Sequence, residues 1–102
     1  MQTGSLLVRL FIRESRSLKD KRQVVKSIIE RLRNGFNASV AEVAARDHHQ
    51  IVVLGVAVVG EEASDVKTTL DQIAQALRKH PIAEFCAAES TIEKVLAETE
   101  HV

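Results

Sequence analysis

A cluster of basic residues near the start of the chain is the feature with the clearest chemical meaning. Nine of the 14 Lys and Arg residues lie between Arg9 and Arg33, although the net charge of the whole chain is +0. Only three acids offset them there: Glu14, Asp20 and Glu30. The cluster lies where an apolar strand is expected to give way to a helix, and the first N–H groups of a helix lack partners and favour anions. The pattern therefore predicts a polyanion or a phosphate as the partner.

The candidate phosphate-binding residues fall into two groups. An expected strand carries the first two, and the start and exposed side of an expected helix carry the others. The eight candidates are Arg9, Arg13, Arg16, Lys19, Lys21, Arg22, Lys26 and Arg33. Guanidinium groups form paired hydrogen bonds with phosphate, and ammonium groups add point charges. A solvated, well-capped helix start explains the same residues, and this alternative stays open.

Phe11 is expected on the exposed face of the first strand, between Arg9 and Arg13. One RNA base could stack on its ring. RNA-recognition domains of similar topology stack bases on two or three aromatic residues, whereas this chain has 3 Phe and neither Tyr nor Trp. The alternative is a homodimer that buries Phe11 and the apolar third strand, because an exposed apolar sheet face needs a cover.

Arrangements typical of catalysis or metal binding are absent from the sequence. His48 and His49 are adjacent, so they are expected to point in opposite directions along an extended segment. Neither they nor Cys86 show the spacing of metal ligands. There is no Ser/His/Asp arrangement and no Gly-rich phosphate loop. We therefore expect a protein that is not an enzyme and that carries no metal and no cofactor.

Length and composition indicate one folded domain. The chain has 102 residues, of which 45% are hydrophobic and 27% are charged, which is typical of a globular domain and leaves no room for two cores. We expect a single domain over residues 1–102. The lone Cys86 fits a reducing, cytoplasmic setting. The longest strongly apolar run, residues 51–59, is too short to span a membrane.

The first strand and helix follow from the hydrophobic pattern. Residues 6–13 alternate, with the even-numbered apolar residues on one face. Ser17 is the expected N-cap of the helix, and Asp20 completes a capping box. Apolar residues then recur at helical spacing up to Leu32. We expect Gly35 to follow the last turn, where a left-handed residue is common.

The rest of the sequence predicts three strands and a second helix. The expected strands are 36–43, 50–59 and 83–90, and the expected helix lies between residues 60–64 and Pro81. The third strand is apolar on both faces, which is typical of a central or covered strand. Residues 91–96 either extend the last strand or start a short helix, and both alternatives stay open.

The element order is the split βαβ arrangement of ferredoxin-like domains, βαββαβ, an α+β fold. Right-handed crossovers place two helices on one face of a four-stranded antiparallel sheet. The other face is left open and displays Arg9, Phe11 and Arg13. Acylphosphatase shares this topology, but the matching loop, residues 14–17, has no Gly and includes a carboxylate. Acyl-phosphate hydrolysis is therefore disfavoured.

Three segments resemble the YlxP-like family of small bacterial proteins. They are Ser15–Val25, Phe36–Val43 and Leu54–Val59, and their spacing matches over about residues 5–80. Members of the family often carry Trp at the entry to the third strand, where this chain has Asp47-His48-His49. The resemblance implies a ferredoxin-like domain that is often encoded beside translation initiation and ribosome-maturation factors. It transfers no catalytic residue.

Two functional hypotheses result. The first is a translation- or ribosome-linked factor that binds RNA phosphates through the basic strand–helix junction. The second is a homodimeric interaction or regulatory module, joined through the open sheet face, with no nucleic-acid role.

Overall fold

Six elements follow one another along the chain in the order expected from the sequence. The computed structural model describes residues 1–95. The elements are β1 (Gln2–Phe11), α1 (Leu18–Gly35), β2 (Ser39–Ala44), β3 (Ile51–Gly60), α2 (Ala63–Arg78) and β4 (Glu84–Lys94). Both helices pack on one face of a four-stranded antiparallel sheet. The ferredoxin-like α+β class is therefore confirmed.

The sheet has the strand order β2-β3-β1-β4, with antiparallel pairing throughout. β1 is central, so Val8 lies opposite Leu54 on β3 and opposite Ala88 on β4. β2 and β4 form the two edges, and the register shifts at Val43 on β2 and at Cys86 on β4. Edge strands present unpaired backbone groups, so within residues 1–95 β2 and β4 each have one row of N–H and C=O groups without a neighbouring strand.

The core lies between one sheet face and the two helices. The pleat of a strand sends alternate side chains to opposite faces, so the apolar face expected for residues 6–12 is confirmed. Each helix adds one buried apolar stripe. The buried apolar residues are Leu6, Val8, Leu10, Ile12, Val25, Ile28, Leu32, Val40, Val52, Leu54, Val56, Val58, Val66, Leu70, Ile73, Leu77 and Ala83.

The start of α1 matches the expectation and its end does not. The Ser17 hydroxyl accepts a hydrogen bond from the Asp20 N–H at 3.1 Å, so Ser17 is the N-cap. Gly35 is still helical, and no Gly among the described residues has a positive φ. The chain leaves the helix at Phe36 with extended backbone, and the Phe36 N–H still reaches the Leu32 carbonyl at 2.9 Å. The helix therefore ends without a left-handed residue.

The ends of the strands also differ from the expected bounds. β1 stops at Phe11 because a turn follows, in which the Ser15 N–H donates to the Ile12 carbonyl at 3.2 Å. β2 begins at Ser39 because Phe36 caps α1. β4 continues through residues 91–94, so the alternative of a short helix there is wrong. Residues 96–102 lie outside the described residues, and a single domain over residues 1–102 stays a prediction.

Candidate functional site

The start of α1 is already occupied by its own side chains. Ser17 accepts the Asp20 N–H, and the Asp20 carboxylate in turn accepts a hydrogen bond from the Arg16 N–H at 3.0 Å. A carboxylate in the first turn satisfies the positive end of the helix dipole. Arg16 and Lys19 are exposed beside it. The strand–helix junction is therefore less open to an external anion than the sequence indicated.

The expectation that Lys21 binds phosphate is wrong, and Lys21 leaves the set of candidate phosphate-binding residues. Its side chain is 1% exposed, and its ammonium lies 2.9 Å from Glu42 Oε2. The same ammonium donates to the Ala45 carbonyl at 2.6 Å. A buried ammonium needs such partners because burial removes its hydration. Lys21 therefore joins α1 to β2 and does not face a ligand.

Basic side chains instead gather in a groove between α1 and the edge strand β2, which we call the basic groove. Its charged lining is Arg22, Lys26, Glu30 and Arg33 from α1, Glu42 from β2 and Arg46 from the loop after β2. Apolar residues of α1 and β2 form its floor, including Val25 and Val40. Glu42 is balanced by Lys21, so the groove retains an excess of positive charge.

Two of these arginines are held in place by the free edge of β2. Arg33 Nη2 donates to the Val40 carbonyl at 2.8 Å, and Arg46 Nη1 lies 3.3 Å from the Glu42 carbonyl. These contacts cover edge carbonyls that would otherwise be open to another strand. A guanidinium has five donors, so each group keeps further N–H donors for a ligand. The arginines are thus positioned before any anion arrives.

The exposed side of α1 spreads the positive charge along the groove. Arg22, Lys26 and Arg33 span eleven residues, or about 16 Å at the helical rise. All three are exposed. Such a row can follow the backbone of a polyanion, whereas a single small anion would need only one end of it. The groove brings together three of the eight candidates.

Arg46 is the lining residue that the sequence analysis missed. It lies in the loop after β2, 27 residues after Lys19, the first basic residue within α1. A signal was nevertheless present, because the ferredoxin-like topology places β2 at the sheet edge beside the first helix. A basic residue just after that strand therefore lies near α1.

Arg13 and Phe11 lie apart from the basic groove. The Arg13 guanidinium binds both Glu84 carboxylate oxygens at 3.2 Å and lies 5.4 Å from the centroid of the Phe11 ring. Phe11 is only half exposed. A base that stacked on Phe11 would compete with Arg13 for space over the ring.

The open face of the sheet contains a separate depression. It is lined by Leu7, Arg9, Val53, Ala87, Ala88 and Glu89. Leu7 is 42% exposed, and Val43, which covers Gly55 on the same face, is 53% exposed. The open face is therefore apolar with few charges, and Arg9 belongs to it rather than to the basic groove.

The loop histidines have structural roles. The expectation that His48 and His49 point in opposite directions is wrong, because the segment is a turn and their rings stack with centroids 5.7 Å apart. His48 Nδ1 accepts hydrogen bonds from the N–H groups of Gln50 and Ile51, each at 3.2 Å. Within residues 1–95, no group of three His, Cys, Asp or Glu residues could hold a metal ion. The absence of a cofactor stays a prediction.

Neither helix in the described part of the chain is both long and apolar enough to cross a membrane.

Comparisons with known proteins give a family and a fold. Residues 3–90 match a family model described as "Protein of unknown function (DUF503)". The chain is 34% identical over 62 residues to the uncharacterized protein YlxP of Bacillus subtilis (strain 168). The matched region covers 61% of this chain and 67% of YlxP. The resemblance to YlxP-like proteins is thereby confirmed.

Two de novo designed proteins have similar structures. One, described as having a ferredoxin fold, matches with a TM-score of 0.52 and 19% identity over 96% of this chain and 90% of its own. The other matches with a TM-score of 0.53 and 13% identity over 94% of this chain and 100% of its own. At such identities these similarities support the fold alone.

Proposed function

The chain belongs to the DUF503 family of proteins of unknown function, and we propose that it is a small RNA-binding factor that holds phosphates in the basic groove. The role is binding without a reaction, so the protein is proposed not to be an enzyme. The partner is proposed to be ribosomal RNA or the ribosome.

The observation that carries this proposal is the pair of arginines anchored on the edge of β2. Arg33 and Arg46 each donate to a backbone carbonyl and face the groove that Arg22 and Lys26 also line. Positioned guanidinium groups lose little side-chain freedom on binding, which favours charge-assisted hydrogen bonds to phosphate. The phosphate backbone supplies most of the sequence-independent affinity for nucleic acid.

The length of the groove favours a polymer over a small anion. Its helical basic residues extend over about 16 Å, and the groove is open rather than enclosed. The resemblance to YlxP-like proteins, which are often encoded beside translation factors, supports RNA as that polymer. Sequence-specific base recognition is not part of the proposal, because half-exposed Phe11 lies elsewhere.

Co-sedimentation with ribosomal subunits at several salt concentrations tests the proposal. Neutralising two groove residues with R22Q/K26Q should flatten the slope of log K against log salt by about 1–2 units. Each phosphate contact contributes about 0.7–0.9 units to the magnitude of that slope. The matched control is K67Q/K79Q, which removes the same charge from α2 and from the residue that follows it, far from the groove residues in sequence and outside the groove's lining. No ribosome or RNA affinity at low salt in the unaltered protein would overturn the proposal.

A second candidate function is an interaction module that uses the open sheet face. The observation that favours it is the exposure of Leu7 and Val43 there, at 42% and 53%. Exposed apolar patches often mark protein interfaces. If the protein is strictly monomeric and captures no partner through this face, the interaction-module function is excluded. The proposal that the basic groove binds RNA is unaffected by that result.

A further inference from the structure

The open sheet face carries two charges on the neighbouring strands β1 and β4. Arg9 lies on β1 opposite Ala87, and Glu89 lies on β4 opposite Leu7. Both side chains line the same depression beside Leu7. Within residues 1–95, neither makes an ion pair within 4.0 Å. Leu7 on β1 is therefore flanked by an unpaired positive group along its own strand and by an unpaired negative group on β4.

This arrangement is self-complementary under two-fold symmetry. In an isologous interface, residue i contacts residue j of the partner, and j contacts i. A two-fold axis that lies between two facing sheets, passes near Leu7 and runs diagonal to the strands exchanges the positions of Arg9 and Glu89. Each arginine then faces one glutamate of the other subunit, so the interface contains this contact twice.

We propose that the open face binds the open face of a second copy of this chain, with Arg9 pairing with Glu89 of the partner subunit on each side of a Leu7 contact. The inference deepens the second candidate function and is separate from the phosphate-binding function, since Arg9 and Glu89 lie on the sheet face opposite α1. A second copy is favoured over another protein as the partner because the two-fold axis places Arg9 of one copy opposite Glu89 of the other.

The geometry also sets the expected strength of the dimer. A diagonal axis makes the strands of the two sheets cross near a right angle, one of the two usual sheet packings. Four strands are about 19 Å wide, so the overlap is roughly 20 by 20 Å. That area is about half of the ~800 Å² per partner in a standard interface. We therefore expect a reversible dimer with a dissociation constant in the micromolar range, about 10–100 µM.

Charge reversal combined with sedimentation velocity tests the pairing. R9E and E89R each place like charges at both symmetry-related contacts, so each should weaken dimerisation at least about tenfold. The double variant R9E/E89R restores opposite charges with exchanged positions, so its dissociation constant should return to within about threefold of the unaltered protein. Circular dichroism of each variant establishes that these exposed substitutions leave the fold intact.

The matched control is E93R, which makes the same charge change on the same strand and the same face. Glu93 lies opposite Thr3, about 13 Å along β1 from Leu7 and outside the expected overlap, so dimerisation should stay within about twofold of the unaltered protein. A monomer at about 300 µM would overturn the proposal. A dimer in which the double variant stays as weak as the single variants would overturn it too. Ribosome binding is measured separately with R22Q/K26Q, so either result leaves the phosphate-binding function standing.

Discussion

Lys21 of α1 and Glu42 of β2 form a buried ion pair, with Nζ 2.9 Å from Oε2. Their side chains are 1% and 11% exposed. Glu42 Oε2 accepts no hydrogen bond of good geometry among the described residues, so charge attraction holds the contact. Lys21 also donates to the carbonyl of Ala45, which has a left-handed φ of 55°. The pair thus ties α1 to the end of β2 and to the loop that carries Arg46.

Removing the carboxylate of this pair should strongly destabilise the fold. In E42A the Lys21 ammonium stays buried without a counter-charge, and breaking a buried pair in this way costs about 3–5 kcal/mol. The free energy of unfolding from urea titration measures the effect. Replacing both residues in K21M/E42L removes both charges and keeps apolar volume, so this variant should lie within about 1.5 kcal/mol of the unaltered protein. Equal losses in E42A and the double variant would contradict coupling between the two residues.

Gly4 is required by the close approach of α2 to the sheet. A Cβ atom there would lie 2.9 Å from Leu70 Cδ1 and would also overlap Val66. Since overpacking a core typically costs about 1–3 kcal/mol, G4A should lower the free energy of unfolding by that amount. G35A is the matched control, because Gly35 lies in the last turn of α1 with open space around its Cβ position. It should raise stability by about 0.5–1 kcal/mol, and destabilisation of both variants alike would exclude the packing explanation.

The surroundings of His80 should make the free energy of unfolding depend on pH. Its Nδ1 accepts hydrogen bonds from the N–H groups of Ile82 and Ala83, at 3.2 and 3.0 Å. Partial burial and the nearby positive charge of Arg31 lower the pKa of His80 below its usual 6.5. The neutral form is favoured in the folded state, so the contribution of His80 is full above pH 6.5. It declines as pH falls through the lowered, folded-state pKa.

Urea titrations at a series of pH values check this expectation. The free energy of unfolding should decrease on acidification below pH 6.5, and H80N should flatten part of that decrease because an amide oxygen accepts the same N–H groups without titrating. Nuclear magnetic resonance titration of the His80 ring gives its pKa directly. An unchanged slope in H80N, or a His80 pKa above 6.5, would show that other groups cause the pH dependence.

Much of the fold could be predicted because local patterns and long-range packing agree. The alternation in β1 and the helical spacing up to Leu32 each indicate one buried face, and the structure buries those faces. The ends of elements were less predictable because they depend on competing hydrogen bonds. For example, a Gly after the last turn favoured a left-handed residue at position 35. Instead, the Phe36 N–H donates to the Leu32 carbonyl, and the chain leaves the helix with extended backbone at Phe36.

The candidate site was predictable in part, because charge density does not show which partners a side chain meets. Lys21 occupies the buried stripe of α1 with Val25, Ile28 and Leu32, so its spacing carried the signal for burial. Its actual role depends on Glu42, which only the packing of β2 against α1 brings within reach. Arg46 became part of the groove for the same reason.

Two alternative locations for phosphate binding can be separated by removing two charges from each. R22Q/K26Q alters the basic groove, whereas R13Q/R16Q alters the strand–helix junction. Arg13 is already paired with Glu84, and the Asp20 carboxylate, which accepts the Arg16 N–H, lies at the helix start and repels an anion there. We therefore expect the groove variant to lose about 1–2 units of salt slope and the junction variant less than about 0.5. Fluorescence anisotropy with a labelled ribosomal RNA fragment at 50–200 mM salt measures both slopes. A larger loss of salt slope for R13Q/R16Q than for R22Q/K26Q would show that phosphate binds at the strand–helix junction. Screening acts equally on both variants, so only direct phosphate contacts change the slope.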